Sequence, residues 1–255
     1  MINWRFLRPA RRPTIMPEAS IPILVYHRVG LPPSGSRHPD TYVSPRRFAR
    51  QMAILKGLGF RTVTAHEYAQ AKLGTPGRLP ARPILLTFDD GSSSILSEAL
   101  PIMKEYGFTG VVFMVASQLG GPAVWDDELD PAEHRQLNAE ELVSLQKEGW
   151  SLGSHSSTHA RLTGLGPESL REELVQSRKA LEAMSGHDAD WFAYPYGDFD
   201  ERVKEAASQA GYRLGFATER GDGFPFSIPR RVISGRNGLF QFLRRLLQAR
   251  RLARR

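Results

Sequence analysis

The clearest pattern in the chain is a short, continuous apolar run that ends on two carboxylates. Residues 83–88 read Pro-Ile-Leu-Leu-Thr-Phe, and Asp89, Asp90 and Gly91 follow directly. A continuous apolar run of this length is typical of a strand that is buried on both faces in an α/β domain. Such strands carry functional residues at their carboxyl ends. We therefore predict a core strand that delivers Asp89 and Asp90 to a site, with a helix-capping turn as the alternative.

Similar signals divide the rest of the chain into alternating strands and helices. Apolar and β-prone runs predict strands at residues 21–27, 61–63, 109–115, 150–154, 191–194, 213–217 and 231–233. Helical spacing, proline and capping signals predict helices at residues 94–106, 138–149, 167–184 and 201–210, with two more beginning at residues 45 and 64. This alternation indicates an α/β fold with a mostly parallel sheet and right-handed crossovers.

Two histidines follow the predicted strand at residues 150–154. On one helical turn, the spacing of His155 and His159 places both rings on the same side, within reach of one ion. Two imidazoles and one aspartate leave positions for water and substrate, as a hydrolytic metal site requires, and the second aspartate is then free to act as a base. Structural positions are assigned to His38, His66, His134 and His187.

Length and charge favour one catalytic domain without a nucleic-acid groove. At 255 residues the chain is long enough for a single large α/β domain. Its formal charge of +7 comes from the termini, since residues 1–12 and 238–255 hold ten of the 34 basic residues and no acid. The remaining 24 basic and 27 acidic residues argue against specific nucleic-acid binding. Because the chain has no cysteine, nitrogen and oxygen atoms must hold any metal ion.

The two termini carry basic segments of different pattern. Residues 1–19 form an arm that lacks the apolar centre of a signal peptide, so we expect a cytoplasmic protein, at most peripheral at the inner membrane face. In residues 238–255, apolar residues recur with helical spacing between arginines. This amphipathic segment predicts contact with an anionic membrane, and a packed last helix is the other interpretation. The catalytic domain then spans residues 20–237.

Three segments, in order, carry a resemblance to a known family. They are Thr87 to Gly91, His155 to His159, and the Tyr-Pro-Tyr-Gly sequence from Tyr194 to Gly197. Over roughly residues 20–235 the chain resembles the NodB-type polysaccharide deacetylases, carbohydrate esterase family four. The resemblance implies a single domain with a distorted, incomplete (β/α) barrel. It also implies metal-dependent removal of acetyl groups from a glycan.

The resemblance assigns roles to five residues of these segments. It implies that Asp90, His155 and His159 hold a divalent ion, with zinc as the expected metal. It implies that Asp89 is the catalytic base, and that the backbone N–H of Tyr196 helps to bind the oxyanion. Spacing alone does not say which aspartate binds metal. Without the resemblance, the segment after the predicted strand at residues 191–194 is equally well explained as an ordinary turn with no role in binding.

Residues around these segments are candidates for the substrate side of the site. Tyr194 and Pro195 precede the oxyanion-binding amide, and Trp125 lies in a long loop. The Trp125 ring suits stacking on a sugar or closure over its own loop. Relatives often have an arginine where this chain has Ala193, and Arg230 is the candidate that replaces it beside the base.

The general acid is a second departure from the family pattern. Many relatives carry it on a late histidine motif, but this chain has no histidine after His187. His27 fills the gap if the last barrel strand has moved to the start of the chain. That arrangement resembles the subgroup that deacetylates poly-β-1,6-N-acetylglucosamine. The alternative for His27 is a buried histidine bonded to backbone.

We therefore expect a metal-dependent N-deacetylase that acts on an N-acetylated oligosaccharide, polysaccharide or lipid-linked glycan. One alternative is an esterase for O-acetyl groups, or a hydrolase for other C–N bonds, because loops rather than the ion set the specificity. Another is a catalytically weak module that binds glycan or membrane. The missing arginine at position 193 favours this last alternative, and the presence of Asp89 opposes it.

Overall fold

The computed structural model describes residues 20–34, 36, 38–73, 79–125, 135–221 and 223–253. Three predictions lie outside these residues. They concern the basic arm at residues 1–19, the structural position of His134, and the two C-terminal arginines. Within the described ranges, none of the helices combines the length and the apolar character needed to cross a membrane.

The strands of the described residues form one large parallel sheet and one small pair. They are β1 (Ile23–Tyr26), β2 (Arg28–Val29), β3 (Tyr42–Val43), β4 (Arg61–Thr62), β5 (Pro83–Phe88), β6 (Val111–Met114), β7 (Ser151–Ser154), β8 (Trp191–Ala193), β9 (Leu214–Ala217), β10 (Ile228–Pro229) and β11 (Arg231–Val232). The large sheet runs in the order β10-β9-β8-β7-β6-β5-β1-β11, with β4 added to β5. Arg230 alone separates β10 from β11, the strands at the two ends of this sheet. The sheet therefore forms a nearly closed barrel, which confirms the predicted fold.

Helices surround the barrel and return the chain from one strand to the next. They are α1 (Pro45–Gly57), α2 (Ala65–Lys72), α3 (Leu100–Tyr106), α4 (Ala139–Lys147), α5 (Pro167–Ser185), α6 (Glu201–Gln209) and α7 (Leu239–Leu252). Both predicted capping boxes are present. Thr64 and Glu67 exchange hydrogen bonds at the start of α2, and Asn138 and Glu141 do so at the start of α4. These caps satisfy backbone N–H groups that have no partner inside the helix.

The predicted helix at residues 94–106 is interrupted. Residues Ile95–Ala99 form a π-helical stretch, and regular α-helix begins only at Leu100. Pro101 has no N–H, and its ring would collide with the carbonyl of the residue four positions earlier in a regular helix. A wider local turn relieves this collision.

The continuous apolar run of β5 reflects burial on both faces of the sheet. Ile84 and Leu86 belong to the core cluster beneath α1, α3, α4 and α7. Leu85 points the other way, into the cluster that fills the barrel interior. Successive strand residues alternate in direction, so only a strand covered on both sides is apolar at every position.

The C-terminal segment forms a helix that packs on the barrel. In α7 the side chains of Phe242, Leu246 and Ala249 are buried in the core cluster that contains Leu24 of β1. The structure thus shows the packed-helix interpretation of this segment. Contact with a membrane stays a prediction.

Candidate active site

Asp89 and Asp90 lie at the carboxyl end of β5, on the rim of the barrel. Both are buried, with 2% and 6% of their surface exposed. Asp90 and Gly91 both have φ of 70°, so the backbone turns sharply where the strand ends. A Cβ at position 91 would overlap the Met114 sulfur, which explains the glycine.

Arg230 forms a bidentate ion pair with Asp89. Its Nη1 and Nη2 donate to Oδ1 and Oδ2 of Asp89, each over 2.7 Å. The guanidinium also donates to Thr87 Oγ1 and to the Ala217 carbonyl, both at 3.0 Å. Burial alone would raise the pKa of Asp89, but the charge of Arg230 lowers it below its usual range. Asp89 is therefore a fixed, ionised carboxylate.

Arg230 was also predicted to bind substrate, and that part is wrong. Its side chain has no exposed surface, because barrel closure places it behind Asp89. The guanidinium is occupied by Asp89, Thr87 and Ala217. Arg230 therefore orients the carboxylate from the interior instead of lining the cavity.

His155 and His159 follow β7, which is separated from β5 by one strand, and both rings face Asp90. The Nε2 atoms of His155 and His159 lie 3.5 and 3.4 Å from Oδ1 of Asp90. Ligand atoms of all three residues lie within 4.8 Å of one another. Burial alone would raise the pKa of Asp90, but the hydrogen bond with His159 and the nearby imidazoles lower it well below its usual range. One carboxylate and two imidazoles thus converge on a small buried space.

The two rings converge through a loop, so the predicted helical turn is wrong. The segment after β7 is irregular, and both Ser156 and His159 have φ of 65°. Ser156 Oγ accepts a hydrogen bond from the backbone of His159 at 3.0 Å. Glu173 of α5 accepts from the backbone N–H groups of Ser157 and Thr158 at 3.0 and 2.9 Å. These bonds fix a conformation that residues with side chains rarely adopt.

The polar atoms of this cluster fit a divalent cation. His155 Nδ1 lies 2.8 Å from the Ala193 carbonyl, so it carries the hydrogen and leaves Nε2 as an acceptor that faces an acceptor oxygen of Asp90. Burial lowers the pKa of His155 to about 4, so the ring is neutral at neutral pH. His159 Nδ1 is buried and has no hydrogen-bond partner among the described atoms. Imidazole nitrogens and a carboxylate oxygen are ligands that zinc accepts.

Tyr194 to Gly197 closes another side of the site. Tyr194 is buried, and its hydroxyl donates to the Phe226 carbonyl at 2.6 Å. Pro195 is buried in a short turn and does not line the cavity. Tyr196 has φ of 59°, and its half-exposed ring packs edge-on against His159 at 4.6 Å between centroids. The role of the Tyr196 amide stays a prediction.

A cavity of about 320 Å³ is lined by most of the predicted site residues and by several others. His27, at the end of β1, lies on its wall beside both aspartates and both metal-site histidines. The Trp125 ring also lies on the wall and stacks on His159, with ring centroids 4.6 Å apart and an interplanar angle of 21°. Sequence reasoning missed other wall residues, namely Arg28, His38, Thr41, Thr218 and Val232.

The structural assignment of His38 is therefore wrong. His38 precedes a short 3₁₀ turn and contributes to the cavity wall. Thr41 Oγ1 donates to the His38 carbonyl at 2.8 Å and accepts from Arg28 at 3.1 Å, which holds the turn over the site. No strand or helix pattern surrounds residue 38, so the sequence offered no signal for its position.

Comparison with known proteins identifies the family. The sequence profile described as polysaccharide deacetylase matches residues 77–215, more than half of the chain. The chain belongs to the polysaccharide deacetylase family. This confirms the resemblance drawn from the three motif segments.

Individual relatives agree with this polysaccharide deacetylase assignment. The chain is 29% identical over 203 residues to YxkH of Bacillus subtilis, which is provisionally named a polysaccharide deacetylase; the match covers 80% of this chain and 66% of the relative. It is 25% identical over 215 residues to a poly-β-1,6-N-acetyl-D-glucosamine N-deacetylase of Staphylococcus aureus, covering 79% and 71%. The chain thus spans about two thirds of the length of these relatives.

Solved structures share the fold. IcaB from Ammonifex degensii is 26% identical, with a TM-score of 0.71 and coverage of 92% of this chain and 97% of that one. The Streptococcus pyogenes deacetylase PplD, solved in complex with acetate, is 21% identical, with a TM-score of 0.74 and coverage of 89% and 97%. Both agree with a single-domain deacetylase barrel.

The buried ion pair between Arg230 and Asp89 supports a prediction about stability. Arg230→Met leaves the Asp89 carboxylate buried without its partner, and we expect the free energy of unfolding to fall by about 3–5 kcal/mol. Urea denaturation followed by circular dichroism measures the change. The matched control is Arg213→Met, which removes a half-exposed pair with Asp190 and should cost at most about 1 kcal/mol. Equal losses in the two variants would show that burial adds nothing to the pair.

Proposed function

We propose that this polysaccharide deacetylase family member is a metal-dependent hydrolase that removes N-acetyl groups from an N-acetylated glycan, either an oligo- or polysaccharide or a lipid-linked precursor. One observation carries the proposal. An ionised carboxylate, Asp89, lies beside the cluster of Asp90, His155 and His159 but is not part of it, and both line one cavity. The name of the S. aureus relative supports N-acetylglucosamine as the sugar.

The metal would be held by Asp90, His155 and His159, and zinc is our proposal from the ligand types. A divalent ion there would supply Lewis-acid chemistry, which polarises the acetyl carbonyl and makes water easier to deprotonate. Asp89 accepts the proton of the attacking water, and Arg230 keeps its two oxygens in place. The Tyr196 amide donates to the oxygen that gains negative charge. His27 donates a proton to the departing sugar nitrogen.

Release of acetate from defined substrates tests this function. We expect the protein to release acetate from β-1,6-linked N-acetylglucosamine oligomers. A chelator should stop this release, and added zinc should restore it. O-acetylated xylan serves as the comparison substrate. Faster release from xylan would make the chain an esterase, and binding of glycan and metal without turnover would make it a binding module.

The role of His27 gives a separate prediction. His27→Ala should lower kcat for an N-acetylated oligomer by about 100-fold or more, because the amine leaves poorly without a proton. Its activity on p-nitrophenyl acetate should stay near that of the unchanged protein, because nitrophenolate needs no proton to leave. His66→Ala, on the exposed first turn of α2, is the control. If His27→Ala loses less than about fivefold on the oligomer, His27 is not the acid.

A further inference from the structure

Two helices on one side of the barrel carry basic side chains and no acidic ones. In α1 the basic residues are Arg46, Arg47, Arg50 and Lys56. In α7 they are Arg244, Arg245, Arg250 and Arg251. Neither helix contains Asp or Glu. The body of the protein is close to neutral as a whole, so this local imbalance is a surface feature that the overall charge hides.

The two helices are neighbours on β1. Phe48 and Gln51 of α1 contact Tyr26 of β1, with ring centroids 5.1 Å apart and a 3.0 Å hydrogen bond. α7 packs on β1 and β11, and its Phe242 belongs to the same core cluster as Phe48. The Arg47 side chain donates to the carbonyl of Gly235, just before α7 begins. The outer surfaces of α1 and α7 therefore lie on the same side of the barrel, and we name them together the α1–α7 face.

Most charges of the α1–α7 face are available to an external partner. Arg245 pairs with Glu219 next to it. Arg47 donates to the Gly235 carbonyl. The other exposed arginines make no ion pair with any carboxylate that the structure describes; they are Arg46, Arg50, Arg244, Arg250 and Arg251. A cluster of unpaired cations attracts an anionic surface.

Exposed apolar side chains lie among these arginines. Phe240 is 79% exposed, Leu247 is 55% exposed and Leu239 is 51% exposed, all on α7. Phe240, Arg244, Leu247 and Arg251 follow one another at spacings of three and four, so they form one stripe along the outer side of the helix. Apolar side chains between arginines on a helix surface are typical of helices that lie in the interface of a lipid bilayer.

We propose that the α1–α7 face binds the surface of an anionic lipid bilayer. The arginines contact lipid headgroups, and Phe240 and Leu247 enter the boundary between headgroups and acyl chains. The folded domain thus supplies the membrane contact, through α1 as well as the C-terminal helix. A nucleic acid would satisfy the arginines but would leave the exposed apolar stripe without a partner.

The direction of α7 relates this face to the cavity. Ser20, before β1, donates to the carbonyl of Arg250 near the end of α7 at 3.3 Å. Because α7 thus runs antiparallel to β1, Leu239 and Phe240 lie at the end of the barrel where His27 and the aspartates line the cavity. A bilayer on the α1–α7 face therefore extends to the end of the barrel that carries the cavity, an arrangement that suits the lipid-linked glycan of the proposed function, on which this last point rests.

Sedimentation with lipid vesicles tests the proposal on the full chain. We expect binding to vesicles of 70% phosphatidylcholine and 30% phosphatidylglycerol, and little to phosphatidylcholine alone, with weaker binding as salt screens the charges. The variant Arg244→Gln/Arg250→Gln/Arg251→Gln should lose roughly 100-fold in partition coefficient. Phe240→Ser/Leu247→Ser should lose roughly tenfold or more. No turnover is measured, so the result is independent of the proposed deacetylase activity.

A matched variant removes the same charge from another side of the barrel. Lys147→Gln/Arg171→Gln/Lys179→Gln changes exposed residues of α4 and α5 and should bind vesicles like the unchanged protein. Circular dichroism verifies that all variants fold. The proposal is overturned if this control loses as much binding as the α7 arginine variant. It is also overturned if Phe240→Ser/Leu247→Ser binds like the unchanged protein, since the face would then be a general site for polyanions.

Discussion

Asp89→Asn is expected to lower kcat by about 1,000-fold while metal binding stays intact. The carboxamide has the shape of the carboxylate and still offers an oxygen to Arg230, but it does not accept a proton from water. Asp89 also lies outside the cluster of Asp90, His155 and His159, so the metal ligands keep their arrangement. Acetate release gives kcat, and zinc content per protein chain gives the occupancy.

Folding must be measured beside turnover in this variant. Arg230 is fully buried, and Asp89→Asn removes its charge partner, so some loss of stability is expected. The assay temperature is therefore set well below the thermal midpoint of the variant. A variant that is folded and zinc-loaded but retains kcat within a few fold would refute the role of base. Simultaneous loss of zinc would instead make Asp89 a metal ligand.

His155→Ala is expected to lose metal and turnover together. His155 is neutral at neutral pH, and its Nδ1 bond to Ala193 aims Nε2 at Asp90. Removing a partner that only supports a ligand typically costs 10–100-fold in metal affinity, so removing a ligand itself should cost more than about 100-fold. Competition with a chromogenic zinc chelator measures the affinity, and acetate release measures the turnover.

His187→Ala is the control for that measurement. His187 is exposed, lies after the end of α5 and is absent from the cavity wall. Its replacement should change neither zinc affinity nor kcat. If His155→Ala binds zinc as tightly as His187→Ala does, the three side chains do not form the metal site.

Local patterns in the sequence predicted most of the barrel elements. The apolar run at residues 83–88 became β5 because burial on both faces leaves no polar position along the strand. The capping boxes at Thr64 and Asn138 fixed helix starts, because their hydrogen bonds involve residues only three positions apart. Short β10 and the small β2–β3 pair were not predicted. Two residues are too few to show a period.

Local sequence patterns did not predict several features of the site. The spacing of His155 and His159 correctly suggested convergence, but a loop held by Glu173 of α5, and not a helical turn, brings the rings together. His38 reaches the cavity from a turn that Arg28 and Thr41 support. These arrangements depend on hydrogen bonds between segments, and a linear sequence carries no period that reports them.

The sequence by itself determined the alternation of strands and helices, the family, and the identity of the acidic and imidazole groups at the strand ends. Burial periodicity and short-range capping are local, so they can be read along the chain. Only the tertiary structure decided that Arg230 forms an ion pair with Asp89, 141 residues away, that His27 and His38 share the cavity, and that α1 and α7 both pack beside β1. Barrel closure brings these distant residues together, and their contacts depend on the three-dimensional path of the backbone.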